Sequence, residues 1–142
     1  MTPTESRPAA VTTAFWVLIV GAVLLMAGGL MAATVGFDAL RQAAPATVPD
    51  QAVRNYARLY RGAGTLFCVA AAGLAVLTVR ARDRDPRSRR AAMTLGLTIV
   101  VLVGLAGVFA GTHILALLSL LPIVVGTLLL GRPSVIEWYT GE

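Results

Sequence analysis

The chain has 142 residues, is 57% hydrophobic and 13% charged, and has a mean hydropathy of +0.78. Soluble domains carry about 25% charged residues, so charge this sparse, gathered between apolar runs, excludes an ordinary soluble domain and reads as a polytopic membrane protein. The net charge of +5 would suggest nucleic acid in a soluble protein; beside apolar spans, anionic lipid headgroups are the nearer partner and no nucleic acid is expected.

Residues 1–12 are polar, contain proline and are expected to be a disordered cytoplasmic N-terminus. The first apolar run, "TAFWVLIVGAVLLMAGGLMAATVG" (13–36), could compete as a signal peptide because Arg7 precedes it. It is longer than the 7–15 residues of a signal h-region, which favours a retained anchor. Residues 37–60 form an outer loop, and further spans are expected over 61–79, 92–110 and 112–130. Spans three and four are separated only by a tight turn, so they form a helical hairpin. Backbone groups in hydrocarbon must be satisfied within their own segment, so the spans are helices. The expectation is an all-α chain: four transmembrane helices in an antiparallel bundle, with a short amphipathic helix before the second span. Pro122 predicts a kink near Leu118 that Ser119 helps to satisfy.

Arginine distribution sets the orientation. All twelve basic residues are arginine. With a cytoplasmic N-terminus, Arg7, the six arginines of "RARDRDPRSRR" (80–90) and Arg132 make eight inside; Arg41, Arg54, Arg58 and Arg61 make four outside. The bias puts both termini in the cytoplasm, residues 132–142 being a tail, and a bacterial plasma membrane is the expected location. The basic inner loop reads first as a topology determinant and second as a binder of anionic lipid or an acidic partner.

The stretch "RNYARLYR" (54–61) follows Pro49 and Asp50, a good N-cap that also suits the positive end of a helix dipole. Arg54, Arg58 and Arg61 fall at i, i+4 and i+7 on one stripe, while Val53, Tyr56 and Tyr60 lie on roughly the opposite side. Gly62 and Gly64 offer a place to bend. Tyrosine rings and snorkelling arginines suit the headgroup layer, so these residues read as an interfacial anchor. A specific anion such as a lipid phosphate or a carboxylate is the sharper alternative.

Gly104, Gly107 and Gly111 fall on one stripe of span three and would let a helix approach closely, within the monomer, in a homo-oligomer or against a membrane-protein partner. Gly21, Gly28 and Gly29 do the same in span one. His113 is the lone histidine, in the outer turn, and reads as a capping or solvated residue. A metal or haem site would need further ligands. Cys68 reads as a small buried hydrophobe. The spans contain no carboxylate, unlike ion-coupled transporters, and an exporter of the small multidrug resistance type would carry a glutamate in its first span. No nucleophile–base pair, phosphate loop or Cys/His cluster is present. No catalytic, cofactor-binding or metal-binding residue is therefore expected, and the chain is not expected to be an enzyme.

The arginine bias suggests a GC-rich genome. Phe15-Trp16 at the start of span one, Val48-Pro49-Asp50-Gln51-Ala52-Val53, the basic inner loop, the glycine- and leucine-rich hairpin and the ending "LLLGRPSVIEWY" resemble a group of small actinobacterial four-helix membrane proteins. In that group the chain likewise closes with an aromatic pair, here Trp138 and Tyr139, expected at the inner interface or on a partner. Relatives often carry a tryptophan before span three, where this chain reads "DPRSRRAAM". The resemblance implies fold and location and no chemistry. The leading functional expectation is a non-catalytic accessory or structural protein acting through helix packing and headgroup contacts. The runner-up is a small carrier or binder of a lipid or of a neutral or anionic small molecule.

Overall fold

The computed structural model describes residues 6–141, which form helices and no strand. The helices are α1 (Ala9–Ala33), α2 (Phe37–Ala43), α3 (Asp50–Ala81), α4 (Pro86–Phe109), α5 (Ile114–Leu118), α6 (Leu120–Leu130) and α7 (Pro133–Thr140). The chain is thus all-helical, and α1, α3 and α4 are each long and apolar enough to cross a membrane. The run Ile114–Leu130 joins them as a fourth only together with α7, from which it is bent by 56°. Long apolar helices of this kind mark a multi-pass membrane protein.

The boundaries follow local chemistry, with several departures from expectation. Helix α1 reaches back to Ala9, into the stretch expected to be disordered, because Val11 and Ala14 are buried against the rest of the bundle; residues 1–5 lie outside the described part. The expected outer loop is largely helical, holding α2 and the start of α3. Pro49, not Asp50, is the N-cap of α3, and Asp50 contributes only its charge in the first turn. Helix α3 continues unbroken through Gly62 and Gly64. The N-cap of α4 is Asp85, which accepts from the Arg87 N–H at 3.0 Å, followed by Pro86 at the first helical position, a favoured start. Ser119 separates α5 from α6, since Pro122 has no N–H to offer the Leu118 carbonyl. The Ser119 hydroxyl donates to the Ala116 carbonyl at 2.6 Å.

Helix α1 packs chiefly against α3 and α6, while α4 packs against α3 and α6. The core centres on Leu25, Phe67, Leu74, Val103 and Ile123; a second cluster gathers Leu18, Leu130, Val135 and Tyr139. Helices α1 and α3 approach closely at the backbone. A Cβ on Gly29 would lie 2.7 Å from the Gly64 carbonyl oxygen, and one on Gly64 would lie 2.5 Å from the Gly29 oxygen. Gly104, Gly107 and Gly111 do not line one seam. Gly104 faces open space, Gly107 faces Leu117, and Gly111 lies beyond the end of α4 with φ +71, so the stripe stops with the helix. The outward faces of α4 and α6 are apolar, with Val108, Phe109, Leu121 and Leu128 largely exposed, as lipid-facing surfaces are.

Of the stretch 132–142, expected as a tail, the described residues 132–141 are mostly the helix α7, turned back onto the bundle end. Val135 and Tyr139 are buried there, because a helix with one apolar face lowers its free energy by covering it.

Candidate functional site

Arginines and aromatic rings gather at each end of the bundle, and a cavity lies under one of these belts. At the α2 end, Arg54, Arg58 and Arg61 are exposed along one side of α3, as their spacing predicts. They do not converge on one point. The Arg54 guanidinium lies 5.5 Å from the centre of the Phe37 ring of α2, and Arg61 Nε donates to the Val35 carbonyl at 2.8 Å. Arg58 has no partner among the described residues. Tyr56 and Tyr60 stack with centroids 5.7 Å apart, and the Tyr56 hydroxyl donates to the Ala110 carbonyl at 2.6 Å. Tyr56 is therefore a strut between α3 and the end of α4, which its place in the sequence did not reveal. Arg41, not singled out by sequence reasoning, donates to the carbonyls of Val48 and Pro45 and lies 3.4 Å from Asp50. This ion pair folds the α2–α3 connection onto the start of α3.

Beneath this belt, α1, α3, α4 and the α4–α5 turn enclose a cavity of about 280 Å³. Its walls are mostly glycine and alanine, with Tyr56, Leu59, Tyr60, Phe67, Thr112 and His113 the larger members. His113 caps α5: its Nδ1 accepts from the Leu115 N–H at 3.3 Å. The capping reading of this residue matches its position; the cavity beside it had no signal in one dimension.

At the other end, the basic loop is more than a solvated run. Arg89 is only 9% exposed. Its Nη1 donates to the Leu130 carbonyl at 2.7 Å and lies 3.8 Å from Met93 Sδ, and its guanidinium lies 5.3 Å from the centre of the Tyr139 ring. The Leu130 carbonyl is one of the orphan acceptors at the end of α6, where the helix dipole also favours a cation. Nε has no partner, and no carboxylate lies within ion-pair distance among the described residues. The sequence does carry a signal for this burial. Arg89 precedes Ala92, Gly96, Ile99 and Val103 on the stripe of α4 that is buried.

Trp138 and Tyr139 pack edge to face, 4.9 Å apart. The Tyr139 hydroxyl donates to the Ala81 carbonyl. Arg84 Nε donates to the Trp138 carbonyl at 3.0 Å, Arg84 and Arg7 lie 5.0 and 5.9 Å from the Trp138 ring centre, and Arg82 lies 4.8 Å from that of Phe15. The buried indole N–H of Trp138 has no partner. The Ser88 hydroxyl, then backbone N–H groups and the Arg87 charge, outweigh a smaller desolvation and hold the Asp85 carboxyl below the usual carboxylate range. Arg89 is held by a carbonyl and a ring with no carboxylate beside it among the described residues, and a cation placed in this way suits an anionic surface.

Comparison with known protein families, with curated proteins and with solved structures finds no match to the chain.

Proposed function

We propose that the chain is a non-catalytic integral protein of a bacterial plasma membrane, acting as an accessory or structural subunit through helix packing and contacts with anionic headgroups. Four antiparallel spans, both termini cytoplasmic, complete the reading, with the amphipathic start of α3 at the outer interface. Pairings across the bundle support the antiparallel order: Gly29 meets Gly64, Arg82 meets Phe15, and Gly28 meets Ala116. The arginine excess of the 80–90 loop supports the orientation. The resemblance to small actinobacterial four-helix proteins belongs to the same proposal.

The observation that carries it is the treatment of arginine. Arg54 and Arg61 at one end and Arg89 at the other are held by carbonyls and aromatic rings, with no carboxylate within ion-pair distance among the described residues. Extraction into native nanodiscs, followed by mass spectrometry of everything retained, tests the role. An enriched anionic lipid together with a stoichiometric membrane protein is expected, and retention of neither overturns it. Topology is tested separately in a Cys68→Ser background with Thr47→Cys or Ser134→Cys. A membrane-impermeant maleimide should label the first in intact cells and the second only after permeabilisation. The reverse pattern inverts the orientation. A second reading, a small carrier or binder, is favoured by one observation, the cavity beneath Tyr60.

A further inference from the structure

We infer that the cavity between α1, α3, α4 and α5 is a binding site for one ester-linked acyl chain of a bilayer lipid. Its lining contains no arginine and no carboxylate, so the group it takes is uncharged; burying a charge there without a counter-ion would be strongly unfavourable. Three polar groups in the lining have no hydrogen-bond partner among the described residues: the hydroxyls of Tyr60 and Thr112 and Nε2 of His113. His113 Nδ1 accepts from Leu115 N–H, so the neutral ring carries its hydrogen on Nε2 and presents a donor. All three can donate, and an acceptor such as an ester oxygen suits a donor of this kind. Tyr56 does not compete for it, because its hydroxyl is committed to the Ala110 carbonyl.

The cavity is graded in polarity along its length. Tyr60, Thr112 and His113 stand at the end nearest the α4–α5 turn, whereas Phe67 lies two helical turns further along α3. At 1.5 Å per residue that is about 10 Å deeper. There the walls are apolar, with Gly28, Ala106 and Ala116 in the lining. A lipid at an interface has the same order, ester outermost and alkyl chain inward. Leu59, apolar and 75% exposed, stands in the lining and gives the cavity an apolar rim toward hydrocarbon. The stripe of Arg54, Arg58 and Arg61 lies on another side of α3, so recognition here is of the ester and chain rather than of a phosphate.

The inference rests on the reading that the helices lie in a bilayer. Release of the chain from membranes by alkaline carbonate would overturn that reading whatever the cavity does. With the chain retained, the following outcomes bear on the cavity alone. The full chain, in phosphatidylcholine nanodiscs containing a phosphatidylcholine with a mid-chain diazirine, is irradiated and the adducts are mapped. Labelling concentrated at Leu59, Phe67 and Ala106 is expected. Ala63→Phe, which fills the space from α3, should remove it. Tyr60→Phe keeps the ring and the volume and deletes one donor, so it should weaken labelling about fivefold, the worth of one hydrogen bond. It keeps the test open should Ala63→Phe fail to fold. Adducts spread evenly over the outward residues of α4, or labelling unchanged in a folded Ala63→Phe variant, would overturn the site. Displacement of the label by a methyl ester of a short fatty acid, with excess unlabelled phospholipid failing to displace it, would also overturn the lipid assignment and identify a free neutral solute instead.

Discussion

Arg89 shows how much a single position depends on its surroundings. It belongs by sequence to a run of arginines, yet it alone among them is buried, capped onto the end of α6 by the Leu130 carbonyl. A charged hydrogen bond of this kind contributes about 1.5–3 kcal/mol. Arg89→Ala should therefore lower the thermal midpoint in detergent, whereas Arg90→Ala, at an exposed position, should leave it nearly unchanged. Asp85 works in the opposite sense. Its carboxyl is held below the usual range, so its contribution to stability is fully present above the unfolded-state value and is lost as pH falls through the lower folded-state value. Unfolding followed from neutral to acid pH should show stability decreasing across that window. Asp85→Ala should flatten this part of the profile, and an unaltered profile would remove Asp85 from the account.

Among the helices, glycine position matters more than glycine spacing. Gly104 faces open space, while Gly64 touches the backbone of α1. Gly104→Ala should be neutral or stabilising by up to about 1 kcal/mol through helix propensity. Gly64→Ala should destabilise by roughly 1–3 kcal/mol through overpacking. Chemical denaturation of the two variants distinguishes the packing seams directly, and equal effects would contradict the α1–α3 contact. The interruption at Ser119 has a similar test. Pro122→Ala restores an N–H opposite the Leu118 carbonyl, so amide exchange through residues 118–122 should slow.

On the scale of the molecule, both ends carry cationic belts and the middle is clothed in apolar side chains. The protein should unfold at higher temperature in vesicles containing anionic lipid than in purely zwitterionic ones. The difference should shrink as salt is raised, because headgroup attraction is screened within about a Debye length. A salt-independent difference would point to packing against the lipid chains instead.

The helical class, the apolar runs, the arginine stripe of α3 and the break before Pro122 were legible in one dimension. Each follows from a local rule: hydrocarbon forces backbone groups to pair within a segment, a period of 3.6 residues lines up every third or fourth side chain, and proline lacks an N–H. Tertiary structure alone decided that Gly29 of α1 meets Gly64 of α3, that Gly107 meets Leu117, and that Gly104 faces open space. It alone turned the chain after Arg132 back as α7, tied Tyr56 to Ala110 and left space beneath Tyr60. These outcomes depend on which faces meet across tens of residues. Membrane helices gain little from burying one apolar side rather than another, so shape and a few polar contacts choose the partners, and neither is written in the spacing of any one helix.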